Sequence, residues 1–299
     1  MKILLFGETG QVGEALQTAL QPLGEVTALG RAEANLEHPG ELPRIVATHA
    51  PDVIVNAAAY TAVDKAETET ERARLVNAEA VATLAAAAHR TNAWLIHYST
   101  DYVFDGQKPT PYHEFDAPQP LSVYGSTKLR GEQAIAESGC RHLLFRVSWV
   151  YAAGHGNFGA TMLRLARDRS SLNVVADQIG APTSAGLIAD ITAKAIGRLA
   201  QPDAESLSGT YHLAASGVVS RADYAKFLVS EARAAGAPLM LEASGITAVA
   251  TSAYPTPAAR PLNSRLNTRK LAAAFGVTLP PWQDDVRQWV IDTVRESGA

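Results

Sequence analysis

The sequence predicts an α/β protein in which a Rossmann-type, doubly wound parallel sheet is followed by a smaller α/β substrate-binding domain. Three observations carry this. From residue 2 to about residue 150, short continuous apolar runs alternate with helical patterns, as strands do when helices cover both faces of their sheet. The first run ends in a glycine-rich loop that opens a helix. Beyond residue 150 the alternation becomes irregular, with neither a repeat nor a low-complexity linker. Residues 1–150 are therefore expected to form a dinucleotide-binding domain. Residues 151–299 mainly form a substrate domain packed directly on it, with room for segments that return to the first. The cleft between them is the natural substrate site.

Residues 2–6 form the first apolar run, and Gly7-Glu8-Thr9-Gly10-Gln11-Val12-Gly13 follows, ahead of the helical positions Ala15, Leu16, Ala19 and Leu20. The spacing is G-x-x-G-x-x-G. Glycines permit the tight strand-to-helix turn and let a pyrophosphate approach the positive end of the helix, so Gly7, Gly10, Gln11, Val12 and Gly13 are candidate cofactor residues. A second strand, Glu25 to Leu29, ends at Gly30-Arg31. An acid at this point binds a free ribose 2′-hydroxyl and an arginine accommodates a 2′-phosphate, so Arg31 leans towards NADPH over NADH. A solvated surface arginine would look the same. The third strand, Asp52 to Asn56, runs into Ala57-Ala58-Ala59-Tyr60, whose small residues let a cofactor lie across the strand ends.

Glu67 to Arg90 reads as one long alanine-rich helix, interrupted by Asn77, which is expected to be a buried hydrogen bonder. Ala93 to Tyr98 is a further buried strand ending in Ser99-Thr100-Asp101-Tyr102, hydroxyls and a carboxylate at the sheet edge where ligands bind. After a proline-rich excursion comes Tyr124-Gly125-Ser126-Thr127-Lys128. On a helix of about 3.6 residues per turn, the phenol and the ammonium share one face. A nearby cation is expected to pull the phenol down from its usual pKa of about 10, fitting it for proton transfer. Any surface Tyr and Lys four residues apart share this spacing, so the pair gains meaning only from its context. His142 to Val147 is the next strand and leads into Ser148-Trp149. The second half offers helices over residues 185–199 and 221–235, a short strand over 209–213, and a Pro-, Ser- and Thr-rich stretch, 247–268, that carries Arg260 and Asn263.

The formal net charge of -4, without a basic run, argues against nucleic acid as a partner. One cysteine, Cys140, rules out an intramolecular disulfide and a cysteine-based zinc site. It reads as a small buried residue. No apolar run reaches the roughly 20 residues of a membrane span and no signal-peptide pattern precedes the first strand, so a cytoplasmic location is expected.

With these motifs in order, the chain resembles the extended short-chain dehydrogenase/reductases. Among them it is most similar to the dTDP-4-dehydrorhamnose reductase family. Gly10-Gln11-Val12-Gly13, Val55-Asn56-Ala57-Ala58-Ala59, Ser99-Thr100-Asp101-Tyr102-Val103-Phe104, Arg146-Val147-Ser148-Trp149 and Arg260-Pro261-Leu262-Asn263-Ser264-Arg265 carry the resemblance. It implies NAD(P)H-dependent reduction of the 4-keto group of dTDP-4-dehydro-L-rhamnose in nucleotide-sugar and cell-surface polysaccharide synthesis. By carry-over, Tyr124 donates the proton, Thr100 bonds the same oxygen, and Lys128 holds the nicotinamide ribose. Asp101 and Trp149 contact the sugar nucleotide, with Arg260 and Asn263 at its diphosphate end, and Asn35 and Leu36 lie by the adenine. The family often has an acid where Asn35 stands. Some relatives form magnesium-bridged dimers, but the corresponding positions here include Ala15 and Gly186, which cannot ligate a hard cation. No metal site is expected, and the chain should be a monomer or weak dimer. Two readings compete: a binding subunit of the same fold without turnover, and another sugar-nucleotide reductase, epimerase or dehydratase. Thr100, Tyr124 and Lys128 argue against the first, and the lack of an acid pair after Thr100 argues against a dehydratase.

Overall fold

In the computed structural model, which describes residues 1–298, the apolar runs pair as parallel strands. They are β1 (Lys2–Phe6), β2 (Glu25–Leu29), β3 (Val53–Asn56), β4 (Trp94–Thr100), β5 (His142–Val147) and β6 (Gly209–Leu213). Their order across the sheet is β6-β5-β4-β3-β1-β2, and every adjacent pair is parallel. The chain moves from β1 outward to β2, then returns to the other side of β1 for β3. That reversal opens a crevice beyond the carboxyl ends of β1 and β3.

Covering helices account for the absence of polar alternation in the strands. Ile3, Leu5, Val55, Ile96 and Phe145 bury one face of the sheet. Against them lie α1 (Gln11–Ala19) and, further along the chain, Ala185–Arg198. Leu4, Phe6, Ile54, Leu95 and Leu144 bury the other face, against α2 (Leu42–His49), α3 (Ala80–Thr91) and α4 (Val123–Ser138). Cys140 is free and buried, in line with the sequence.

The helix expected from Glu67 to Arg90 is present as one unbroken helical run from Thr70 to Thr91, but it is not α-helical throughout. Val63–Ala66 is a separate turn ahead of it, Thr70–Arg74 is its first α-helical stretch, and Leu75–Glu79 is a π-helical turn that runs on directly into α3. Asn77 supplies the reason. Its side chain accepts from Tyr60 N at 2.9 Å and donates to Tyr60 O at 3.0 Å and to Thr127 Oγ1 at 3.2 Å. A buried side chain tied to three groups outside its own segment fixes the local winding, and the helix widens by one residue to accommodate it.

Beyond β5 the chain builds α5 (Phe158–Asp168), α6 (Ala185–Arg198), α7 (Arg221–Ala234) and α8 (Trp282–Gly298). Short strand pairs link them: Leu172–Val175 with Ile246–Val249, and Ile179–Gly180 with Val219–Ser220. Two segments of this half return to the first. β6 pairs with β5 as the edge of the main sheet, and α6 packs in the core beneath β1. No helix among the described residues is long and apolar enough to cross a membrane.

Candidate active site

The crevice at the switch point opens into a cavity of about 600 Å³. Its floor begins at the glycine loop. Gly7 has φ +88°, a conformation that favours glycine, and a Cβ there would fall 2.7 Å from Ala58 N. A Cβ on Gly13 would fall 1.9 Å from Gly7 O, so this glycine presses α1 onto the turn from behind and does not line the cavity. Gly10 is the N-cap of α1, and no side chain caps that end. The N–H groups of the first turn are thus available to an anion, and the cradle fits a dinucleotide pyrophosphate.

Gly7, Gly10, Gln11 and Val12 line this end together with Ala57, Ala58 and Ala59. Arg31, Asn35 and Leu36 form the far wall. Tyr60 stands behind it, clamped by Asn77 through both backbone polar groups. The Arg31 side chain is 66% exposed and lies 3.3 Å from Glu37, which also bonds Arg72 at 2.8 Å. An acid that the strand-end reading lacked is present nearby, because Glu33 folds back to accept from Gly30 N at 3.1 Å. A glutamate three residues after the strand-end glycine was the available signal.

At the other end, β4 delivers Thr100 and Asp101 and α4 delivers Tyr124 and Lys128 to the same cavity. Ser122 caps α4 by accepting from Gly125 N at 3.2 Å, and Glu67 accepts from Val123 N at 2.9 Å. A Cβ at Gly125 would lie 2.2 Å from Tyr102 O and one at Gly131 would lie 2.3 Å from Asn77 O. Bare glycine at both points lets the helix sit deep. Thr100 Oγ1 accepts from Tyr102 N and donates to Asp101 Oδ1, both at 3.2 Å. Tyr102 packs edge-on against Tyr124 at 5.6 Å.

The electrostatics differ from the sequence expectation. Burial pushes the Tyr124 phenol well above its ordinary value; a hydrogen bond with Thr100 draws it down in part, while Asp101 and Tyr102 push it further up. Lys128 does not pull it down. The lysine is 2% exposed, and its Nζ donates to Tyr98 O at 2.6 Å and lies 3.2 Å from His97 Nε2. Burial lowers Lys128 to about 8, against the opposing charge of Glu132. Asp101 is pushed up to about 6 by burial, with the Ser264 hydroxyl and the Arg221 charge acting the other way.

Trp149 forms the roof with backbone φ +50°, a strained conformation for an aromatic residue of the kind that gathers at functional sites. The Arg221 guanidinium lies 3.6 Å over its ring and 4.8 Å from that of Phe158. Arg221 lines the cavity, and sequence reasoning missed it. Its signal was positional: it is the first residue of α7, where a cation opposes the helix dipole.

Arg260 and Asn263 do not line the cavity. Arg260 is held by Asp64 at 2.8 Å and by Ala258 O at 3.0 Å. Asn263 donates to the carbonyls of Lys108 (2.6 Å) and Thr110 (2.9 Å) and accepts from Arg265 N at 3.1 Å. Arg260 thus ties the proline-rich stretch to the turn at Val63–Ala66, and Asn263 ties it to the loop before α4. Among the described residues, no cluster of three or more His, Cys, Asp or Glu side chains has metal-binding geometry.

Comparison with known proteins agrees with this geometry. The family model described as RmlD substrate binding domain matches residues 1–295. A curated dTDP-4-dehydrorhamnose reductase of Escherichia coli (strain K12) is 52% identical over 293 residues, covering 96% of each chain. That of Burkholderia thailandensis is 48% identical over 298 residues, covering 99% of this chain and 100% of the relative. The crystal structure of dTDP-4-dehydrorhamnose reductase from Bacillus anthracis in complex with NADP superimposes with a TM-score of 0.88 at 32% identity, covering 97% of this chain and 99% of that one.

Proposed function

The chain belongs to the dTDP-4-dehydrorhamnose reductase family of extended short-chain dehydrogenase/reductases, and we infer that it reduces the 4-keto group of dTDP-4-dehydro-L-rhamnose to give dTDP-L-rhamnose. It is an NAD(P)H-dependent oxidoreductase of nucleotide-sugar synthesis. The observation that carries this reading is the convergence of Thr100, Tyr124 and Lys128 on a cavity whose other end is the glycine cradle.

The cofactor, when bound, supplies the hydride to the sugar C4. The chain's own residues do the rest. Gly7, Gly10, Gln11 and Val12, with the uncapped end of α1, hold the diphosphate, and Gly13 keeps helix and loop in contact. Ala57 to Ala59 leave room across the strand ends. Tyr60 braces the wall from behind, while Arg31, Asn35 and Leu36 take the adenosine end. As charge develops on the carbonyl oxygen, Tyr124 gives it a proton and Thr100 donates a hydrogen bond, the preorganised stabilisation that lowers such barriers. Lys128 positions the nicotinamide ribose and restores the Tyr124 proton. Asp101 and Trp149 face the sugar nucleotide. Arg221 is our candidate for its diphosphate, because its guanidinium is stacked within the cavity, whereas Arg260 is already held by Asp64. Arg260 and Asn263 act indirectly, by fixing the loops that border the substrate end. Residues 151–299 mainly supply this substrate side. We place the enzyme in the cytoplasm as a monomer or weak dimer.

The test is the decay of cofactor absorbance when the purified protein meets NADPH and dTDP-4-dehydro-L-rhamnose, with NADH in parallel. Substrate-dependent oxidation is expected with at least one cofactor. Retained cofactor binding without oxidation would replace the enzyme by a binding subunit.

A further inference from the structure

One buried polar group near the site has no part in the chemistry above. His97 lies in the middle of β4, within an otherwise apolar run, and has 0% exposure. Both of its ring nitrogens are engaged. Nδ1 is 3.2 Å from Asn56 Nδ2 and Nε2 is 3.2 Å from Lys128 Nζ.

The protons in this chain can be assigned by exclusion. Ala58 N donates to Asn56 Oδ1 at 3.2 Å, which fixes the orientation of the Asn56 amide. Its Nδ2 therefore faces His97, and an amide nitrogen only donates. Nδ1 must accept, so the neutral ring carries its proton on Nε2. His97 is neutral because complete burial and the Lys128 charge both hold its pKa well below the ordinary value. Its Nε2–H thus points at Lys128 Nζ. An ammonium has no lone pair to receive that proton, whereas an amine has one.

We propose that His97, oriented by Asn56, is a positioning residue that presents an N–H to Lys128 and so disfavours the ammonium form. The proposal rests on the reductase reading for its purpose. In each turnover the Tyr124 O–H bond breaks as the new alcohol O–H forms. A Lys128 N–H bond then breaks as the Tyr124 O–H is remade, and Lys128 recovers its proton from solvent. A lysine made less basic surrenders that proton more readily. Two further ionisable groups act on Lys128. Glu132, one turn along α4, favours the ammonium but is neutralised by Arg146 of β5 at 2.6 Å. Tyr124, one turn back, is held as a phenol by burial. From β4 the Tyr98 carbonyl accepts from Lys128 in either form, and His142 of β5 adds a smaller push that keeps His97 neutral.

The experiment is a pH titration of the full chain carrying lysine labelled with ¹³C at Cε. The sequence has seven lysines, and the Lys128 resonance is the one that a Lys128→Met variant lacks. Wild-type Lys128 should titrate well below the other lysines. In His97→Gln the new carboxamide can turn its oxygen to the lysine, and in Asn56→Ala the histidine is free to move its proton to Nδ1. In each, the Lys128 midpoint should rise by about one pH unit. A purely structural role for His97 would lower thermal stability and leave the midpoint in place. An unchanged midpoint in both folded variants, or in the one that folds, would overturn the proposal. The titration needs no turnover, so a failed oxidation assay would remove the reaction and leave this result standing. In active protein the alkaline limb of kcat should move upward with the midpoint.

Discussion

At the scale of single residues, burial sets the division of labour between Tyr124 and Lys128. It raises the phenol and lowers the lysine, so near neutral pH the tyrosine keeps its proton until a stronger base appears. In the proposed reaction the alkoxide developing on the sugar would be that base, with Tyr124 as its acid. Replacing it by phenylalanine deletes the proton and little else. Tyr124→Phe should lower kcat by about 10²–10⁴-fold, the range ascribed to a positioned general acid. Cofactor binding, followed by protein fluorescence quenching on NADPH addition, should stay near the wild-type level. Near-normal turnover would remove Tyr124 from this role. The four-residue spacing made the pair legible in the sequence. Its electrostatics were not, because depth of burial and the turn of Lys128 towards Tyr98 are tertiary facts. Arg221 was hidden for a related reason: only the fold brings it over Trp149.

The decisive element is α4, and its depth comes from its contacts with the π-helical turn and with Tyr102. Gly131 rests against Asn77 O, the backbone of the same residue whose side chain clamps Tyr60 and Thr127. In an exposed helix, glycine-to-alanine stabilises by about 1 kcal/mol. Here the added methyl would lie 2.3 Å from a carbonyl oxygen, and overpacking of this kind costs about 1–3 kcal/mol. Gly131→Ala should therefore destabilise the protein in urea unfolding and, by lifting Lys128 out of place, weaken NADPH binding. A stabilised Gly131→Ala protein would show that the helix is free to shift outward at no cost. The sequence signalled both the helix and a buried role for Asn77. It did not reveal the π-helical turn within the Glu67 to Arg90 pattern, because Asn77 has partners 17 and 50 residues away and local periodicity holds no trace of either.

At the scale of the whole molecule, the alternation of strands and helices made the sheet legible up to β5. It did not reveal that β6 and α6 complete that sheet from the second half, since their pairing spans a long excursion through α5. The same closure brings Ala15 of α1 and Gly186 of α6 to one cavity with Glu14, Asp190, Asp285 and Asp292. Of these four carboxylates, three have partners of their own. Glu14 meets His155 at 2.9 Å, Asp285 accepts from Ser184 at 2.5 Å, and Asp292 accepts from Gln288 at 3.0 Å. A hard cation needs several oxygens converging at about 2.0–2.6 Å, and Ala15 and Gly186 supply none from their side chains. Exhaustive dialysis against EDTA should therefore leave both the rate of NADPH oxidation and the mass measured by light scattering unchanged, and added magnesium should alter neither. Loss of activity or a fall in mass on chelation, reversed by magnesium, would mean that the remaining carboxylates assemble a bridging site between two copies, against the reading of this face as metal-free.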